Sequence, residues 1–217
     1  GLRNRGAIFT IDRNGEKIPF AITREYPSVY AAPRDVRDPE EAAPLVAAAL
    51  QLPEDTVRKA LQKAGDPYEP LRARVSEEVA QQIRSLALEG IYVGSSPGRF
   101  YPFGALAAQV IGFVGPKEES AGYEGRYGIE RAYNEILSRG EEVTLTIDRN
   151  VQAQSESILD SLVTRFGATG GSVIVMDPND GRIVAMANYP SFDPNRYNEF
   201  EFSRFINPAV QSLYEPG

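Results

Sequence analysis

The chain has 217 residues, 42% of them hydrophobic, which is enough to bury a sizeable core in one or two domains. Its 23 basic and 30 acidic residues give a net charge of −7, which argues against nucleic acid or an anionic membrane surface as the main partner. Cysteine and histidine do not occur, so disulfides, thiolate chemistry, Ser-His-Asp triads and histidine-ligated metal sites are excluded. We therefore expect no metal and no other cofactor.

The sequence has no run that approaches the roughly 18 apolar residues of a membrane helix. Its first residues also lack the pattern of a secretory signal, in which an apolar stretch follows a basic start.

The first predicted element is a β-hairpin. Residues 7–11 and 16–23 form two short extended runs, and Asn14-Gly15 between them is a strong signal for a tight hairpin turn. A third strand is predicted at residues 26–32.

Three short helices are predicted next. Pro39 and the two acids after it favour one helix start, Pro53 favours a second, and Ser76 can cap a third. Helices placed between strands are typical of an α+β domain. The apolar residues at helical spacing, which we expect in the core, are Leu45, Val46, Ala49 and Leu50, then Val57, Ala60 and Leu61, then Val79, Ile83, Leu86 and Ala87.

Three glycines, Gly122, Gly125 and Gly128, precede a predicted helix at residues 129–137. Their G-x-x-G-x-x-G spacing does not match the dinucleotide-binding fingerprint, and no strong strand comes before them. We interpret them as turn residues. The helix after them would place Ile129, Tyr133, Ile136 and Leu137 on one side.

The C-terminal part begins with a predicted strand at residues 143–147 and a long helix that Asp148 can cap and Gly167 can end. We predict one buried face on this helix, formed by Val151, Ile158, Leu159, Leu162, Val163 and Phe166.

A second hairpin follows, with strands at 172–176 and 182–188 and an Asp180-Gly181 turn. Because both runs are almost wholly apolar, at least one strand should be buried on both faces, and the chain alone should expose apolar surface at residues 172–176. A short helix is predicted at 207–213.

Four groups of sequence words occur in order along the chain: R-G-A-I-F-T-I-D-R-N-G, then R-F-Y-P to G-I-E-x-x-Y-N, then L-T-I-D-x-x-x-Q, and finally the D-P-N-D-G hairpin with Y-P-S-F-D-P-N, N-P-A and Y-E-P-G. Together they resemble class B penicillin-binding proteins, which cross-link peptidoglycan. We give structural roles to the residues that carry the resemblance: Arg5, Gly6, Asp12, Arg13, Asn14, Gly15, Gly128, Glu130, Tyr133, Asp148, Gln152, Asp177, Gly181, Asn207, Glu215, Pro216 and Gly217.

Three places depart from the family pattern. Pro19-Phe20-Ala21 stands where Leu-Ala is usual, and Pro208 stands where a basic residue is common. The link at residues 138–142 is short, either naturally or because residues have been deleted.

The resemblance implies an α+β fold in two parts. Residues 1–140 would form an elongated, strand-rich pedestal with small helices, of the dimerisation type. Residues 141–217 would supply the first strand, long helix and hairpin of a transpeptidase domain.

The resemblance also implies a location and partners. The chain would lie on the extracytoplasmic face of the bacterial cytoplasmic membrane, after an anchor helix that it does not itself contain. Its partners would be glycan-polymerising and divisome or elongasome proteins, in division or elongation. Peptidoglycan and β-lactams would be bound only through a catalytic part outside this chain.

No catalytic residue is predicted. The family's active-site words are S-x-x-K, S-x-N and K-[ST]-G, and none occurs among these residues. The parent would be a serine D,D-transpeptidase, whereas this chain alone is predicted to be inactive. Four aspartates, Asp12, Asp148, Asp177 and Asp193, lie where an aspartate serves a turn or a cap.

Two other interpretations stay open. The chain could be a dedicated, non-catalytic interaction module that ends at Gly217, which the coding sequence after that residue would decide. It could also be an unrelated periplasmic binding domain, for which a closed globule with one deep pocket would be expected.

Overall fold

The computed structural model describes residues 2–12, 14–63, 65–118 and 122–213. The chain divides into two compact units, one formed by the residues before Arg24 and after Gly98, the other by Arg24–Gly98. The sheets and several helices confirm the predicted α+β class.

The strands are β1 (Ile8–Ile11), β2 (Lys17–Ala31), β3 (Glu69–Arg72), β4 (Ile91–Phe100), β5 (Val114–Pro116), β6 (Tyr123–Gly125), β7 (Val143–Leu145), β8 (Gly171–Met176) and β9 (Ile183–Tyr189). The α-helices are α1 (Pro39–Leu50), α2 (Glu54–Leu61), α3 (Glu77–Ser85), α4 (Ala108–Ile111), α5 (Gly128–Ala132), α6 (Asn134–Ser138), α7 (Arg149–Phe166) and α8 (Pro208–Gln211). Short 3₁₀ helices lie at Leu2–Asn4, Pro33–Asp35, Pro194–Glu199 and Phe202–Phe205.

The unit of residues 24–98 packs α1, α2 and α3 on a small sheet. The C-terminal part of β2 pairs antiparallel with β3 and also pairs with β4. Asp38 caps α1 and Ser76 caps α3, each by accepting a hydrogen bond from a backbone N–H of the first turn. The core of this unit includes Val29, Ala31, Val46, Leu50, Val57, Leu61 and Ile83.

The other unit contains the remaining strands. β1 lies between the N-terminal part of β2, antiparallel, and β7, parallel. β5 pairs with β6, and β8 pairs with β9. An aromatic cluster forms much of its core, and Phe113 stacks on Tyr197 with ring centroids 4.3 Å apart.

Two predicted strands are in fact one. Residues 16–23 and 26–32 were expected to be separate, whereas β2 runs without a break from Lys17 to Ala31. Arg24 and Glu25 lie between the two runs. Because neither residue type favours a turn, they continue the extended backbone. β3 and β4 were not predicted at all.

The predicted helix at 129–137 is also corrected. It consists of two short helices, α5 and α6, that meet at Tyr133, whose φ of −109° is not helical. Leu137 is fully buried, whereas Tyr133, predicted on the same side of one helix, is 42% exposed.

The buried face of the long helix α7 was predicted only in part, because Leu159 and Val163 are buried as expected but the face is shifted around the helix. Gln152, Ser155, Leu159 and Val163 are buried, at spacings of three and four residues. Ile158, Leu162 and Phe166 are exposed, because the contacts of α7 are with β8 and β9 on the Leu159 side. Leu45 of α1 and Ala87 after α3 are likewise exposed rather than buried.

The hairpin of β8 and β9 is confirmed. The prediction of a strand buried on both faces fits β9, which has no exposed residue. β8 is not buried on both faces: it alternates and leaves Ile174 and Met176 about half exposed, which confirms the apolar exposure expected of this chain at residues 172–176. Among the described residues, no helix has the length and apolar character needed to cross a membrane.

Candidate functional site

The sequence-predicted residues Arg5 and Glu130 meet in a buried ionic cluster. Arg5 precedes β1, and Glu130 lies on α5, where it is fully buried. Arg5 Nε donates to Glu130 Oε2 at 2.7 Å, and Arg5 Nη2 donates to the Glu130 backbone oxygen at 2.9 Å. Arg99, near the end of β4, donates from Nε to Glu130 Oε1 at 2.6 Å. Each oxygen of one carboxylate therefore binds a different arginine.

Arg5 extends this cluster to α6. Its Nη1 donates to Asn134 Oδ1 at 3.0 Å and to Ser138 Oγ at 3.1 Å. Asn134 Oδ1 also accepts from the backbone N–H of Gly125 on β6 at 2.9 Å. One arginine thus joins the chain before β1 to α5, α6 and, through Asn134, β6.

Tyr101 completes the cluster on the side of Arg99. Its hydroxyl accepts a hydrogen bond from the Val114 backbone N–H at 2.9 Å and lies 3.4 Å from Glu130 Oε1. Burial, followed by the negative charge of Glu130, raises the pKa of Tyr101 well above its ordinary value. The hydroxyl therefore stays neutral and can donate to the carboxylate.

The chemistry of the cluster is structural. A buried charge is tolerated only when it is paired and hydrogen-bonded, and the carboxylate of Glu130 is occupied by two arginines. A general acid or base needs access to a reacting group, which this fully buried carboxylate lacks. The cluster fixes backbone segments that are as many as 133 positions apart.

Glycines allow close backbone approach around the cluster. A Cβ atom on Gly6 would lie 1.8 Å from the backbone oxygen of Glu141. Gly128 has a φ of +52°, and a Cβ there would lie 2.4 Å from the backbone oxygen of Val110. Both positions therefore require glycine for space, and the second also for its backbone conformation.

The first hairpin turn brings three other predicted residues together. Asp12 Oδ1 accepts from the backbone N–H groups of Asn14 and Glu16 at 2.8 and 2.9 Å, and Gly15 has a φ of +81°. These contacts confirm that Asp12 serves the turn. Asp12, Asn14 and Asp148 line one cavity of about 300 Å³.

Asp148 and Gln152 fix the start of α7. Asp148 Oδ1 caps the helix by accepting from Asn150 N and Val151 N, at 2.8 and 3.0 Å. The side chain of fully buried Gln152 binds both backbone groups of Met186 on β9, accepting at 2.8 Å and donating at 2.9 Å. The side-chain amide of Gln152 thus hydrogen-bonds to β9 in the way that the backbone of a neighbouring strand would.

The remaining predicted residues lie elsewhere. Asp177 accepts from Asn179 N in the second turn, where Gly181 has a φ of +77°, and Asn207 caps α8. Tyr133 is exposed between α5 and α6. Arg13, Glu215, Pro216 and Gly217 lie outside the described residues.

Sequence reasoning missed several residues of these contacts. Arg99 and Tyr101 belong to the R-F-Y-P word, and Asn134 follows Tyr133, so the resemblance already contained the signal. No sequence signal pointed to Ser138 or to Glu156 of α7. Glu156 Oε1 accepts from Ala107 N at 2.7 Å and from Gln152 Nε2 at 2.8 Å.

The described residues hold no group of three acidic side chains that could bind a metal ion. A nucleophilic serine with a lysine three residues on is absent from the sequence. The arrangement can position backbone, but we find in it no constellation for acyl transfer.

Two family models match consecutive parts of the chain. The model of the penicillin-binding protein dimerisation domain matches residues 3–170, and that of the penicillin-binding protein transpeptidase domain matches residues 171–217. The chain belongs to the penicillin-binding protein family, and the predicted resemblance is confirmed.

Curated relatives agree with this assignment. The chain is 31% identical to stage V sporulation protein D of Bacillus subtilis, over 98% of this chain and 36% of that protein. It is 28% identical to the probable peptidoglycan D,D-transpeptidase PenA of Neisseria gonorrhoeae, over 95% of this chain and 40% of that protein. It is also 28% identical to the peptidoglycan D,D-transpeptidase FtsI of Escherichia coli, over 99% of this chain and 40% of that protein. The chain therefore spans about two fifths of the length of these relatives.

Proposed function

We propose that this chain is the non-catalytic, extracytoplasmic portion of a peptidoglycan D,D-transpeptidase, in which it positions the catalytic part and contacts partner proteins in cell-wall synthesis. The main support for this proposal is the Arg5–Glu130–Arg99 cluster. Family-motif residues meet there in a buried site that binds backbone and side chains of the same unit. A buried site of this kind stabilises the fold of the unit and performs no chemistry, which is what a scaffold requires.

The relatives support the substrate class. Two of those named above are called peptidoglycan D,D-transpeptidases, and they continue well beyond the length matched here. By analogy, the substrate would be the peptide of peptidoglycan, and the reacting serine would lie in a part that these residues do not contain.

The proposal also includes location and domain boundary. The chain would act on the extracytoplasmic face of the bacterial cytoplasmic membrane, where peptidoglycan is assembled. We place the functional boundary at residues 140 and 141, between α6 and β7, although the two family models meet at residues 170 and 171.

The partner contact can be tested directly. The purified chain is immobilised, and its binding to a membrane-embedded glycan polymerase of the same bacterium in lipid nanodiscs is measured by interferometry. We expect saturable binding that empty nanodiscs do not give. Binding no stronger than that of empty nanodiscs would contradict the scaffold role toward this partner. The absence of catalysis is tested by incubation of the chain with labelled penicillin.

A further inference from the structure

A cavity of about 450 Å³ lies where α7 meets the segment that follows β9. This volume is within the range of about 300–1,000 Å³ that is typical of small-molecule sites. Its lining is Ala105, Glu156, Leu159, Asp160, Asn188, Tyr189, Ser191, Phe192, Asp193, Arg196, Phe200 and Arg204. None of these residues belongs to the ionic cluster around Glu130.

Two of the three carboxylates that line the cavity lie on α7. Glu156 and Asp160 are one helical turn apart and both line the cavity. Glu156 is partly buried and uses Oε1 for both of its protein hydrogen bonds, to Ala107 N and Gln152 Nε2. Within the described part of the chain, its Oε2 has no hydrogen-bond donor, so this oxygen remains for a ligand.

The positive charge comes from the segment after β9. Arg204 is partly buried, and its guanidinium lies 6.0 Å from the centre of the Phe200 ring. Its Nη1 donates to the Ser191 backbone oxygen at 3.1 Å. That is its one side-chain hydrogen bond to the described residues, so Nε and Nη2 can still donate.

The other charged side chains of the cavity, Asp193 and Arg196, lie close to each other. Asp193 Oδ1 accepts from both nitrogens of Asn195, and its Oδ2 lies 3.5 Å from Arg196 Nε. The carboxylate pair on α7 and the partly buried guanidinium of Arg204 therefore face the ligand, whereas Arg196 is 61% exposed and lies between Asp193 and Glu199. Apolar surface from Leu159, Tyr189 and Phe192 completes the lining.

We propose that this cavity binds a short zwitterionic peptide, whose ammonium group is held by Glu156 and Asp160 and whose carboxylate is held by Arg204. The apolar lining would take a side chain of the peptide. Charge-assisted hydrogen bonds of this kind are about twice as strong as neutral ones, so both ends of the peptide are recognised.

Such a ligand would connect two segments that are matched by different domain models of the family. α7 lies in the part matched by the dimerisation-domain model, and Arg204 lies in the part matched by the transpeptidase-domain model. Binding would therefore stabilise the contact of α7 with the segment after β9. The proposal does not depend on the function proposed above.

The test uses the whole chain and the dipeptide alanyl-leucine with free termini, titrated by calorimetry. Two derivatives, one with an acetylated amino group and one with an amidated carboxyl group, each lack one charge. We expect saturable one-to-one binding of the free dipeptide and a loss of affinity of at least about tenfold for each derivative.

Variants then assign each charge. E156Q keeps an acceptor for Ala107 N but loses the charge, and R204Q loses the guanidinium; each should weaken the free dipeptide by at least about tenfold. R204Q should no longer distinguish the free dipeptide from its amide, and E156Q should discriminate less against the acetylated form. The control E201Q removes an exposed charge of the same segment that does not line the cavity, and it should bind as the wild-type chain does.

Three results would overturn the proposal: no saturable binding at millimolar dipeptide, equal binding of the blocked and free forms, or an equal loss in E201Q. Thermal unfolding of each variant shows whether it is folded. If E156Q or R204Q does not fold, the two blocked dipeptides on the wild-type chain decide the question.

Discussion

At the scale of single residues, Glu130 has the most consequential environment. Its carboxylate binds Arg5 and Arg99, and all three side chains are almost completely excluded from solvent. Ion pairs of this kind add little when compared with a well-packed apolar core, but removal of one member leaves the others buried without a counter-charge.

The first prediction concerns this residue. E130Q should lower the free energy of unfolding by about 3–5 kcal/mol, because two buried arginines lose their counter-charge. Urea unfolding followed by circular dichroism measures the loss. E135Q is the control, since Glu135 on α6 is 87% exposed and its contact with Arg139 is 3.6 Å, and it should change stability by less than about 0.5 kcal/mol. Equal stability of both variants would contradict a structural role of the cluster.

The second prediction concerns Glu156 and pH. Burial raises the pKa of Glu156 above its ordinary value of 4.5, and hydrogen bonds from Gln152 and Ala107 only partly oppose this. The folded chain therefore binds a proton that the unfolded chain has already released. Stability must then fall as pH rises from about 4.5 through the raised value, and level off above it.

The comparison with E156Q isolates this effect, because Asp160 and Arg204 line the same cavity in both proteins. Urea unfolding at a series of pH values should show the stability of the wild-type chain declining relative to E156Q as pH rises. A difference that is constant, or that rises with pH, would refute the assignment.

At the scale of elements, α7 shows what its sequence can and cannot predict. Its cap at Asp148 and its end at Gly167 were predicted correctly, since both depend on nearby residues alone. Its buried face was predicted only in part, since Leu159 and Val163 are buried but Ile158 and Leu162 are exposed. The helix has more apolar positions than one neighbouring hairpin can cover, and periodicity does not say which stripe receives a partner.

The third prediction uses two leucines of α7 that are three residues apart. Leu159 is 6% exposed and packs with Val163 and Ala187, whereas Leu162 is 43% exposed. L159A should cost about 2–5 kcal/mol of unfolding free energy through lost burial and a cavity, and L162A clearly less. Chemical denaturation of both variants tests this. A larger loss in L162A would mean that the Leu162 side of the helix, rather than the Leu159 side, is the buried one.

Other elements follow the same division between local and distant causes. The turns with Gly15 and Gly181 were predictable because Asn-Gly and Asp-Gly adopt positive φ readily. Strand β4 was not predictable, because its interior sequence Gly94-Ser95-Ser96-Pro97-Gly98 has low strand propensity. It forms through pairing with β2.

At the scale of the whole molecule, long-range contacts were not predictable from periodicity. Arg5 and Glu130 are 125 positions apart, and no local pattern relates them. Only the family resemblance selected both residues, and it could not say that they bind each other. The family itself was recognised because its words occur in order over almost the whole chain.

We propose that this chain serves the family's chemistry as a scaffold and carries no acylated serine of its own. The most direct test is the intact mass of the chain after incubation with excess labelled penicillin, with a full-length penicillin-binding transpeptidase as positive control. We predict that the mass stays near 23.8 kDa, because no serine of the chain has a lysine three residues later. A stoichiometric penicillin adduct on this chain would contradict the account, since it would reveal a nucleophile and an oxyanion site within these residues.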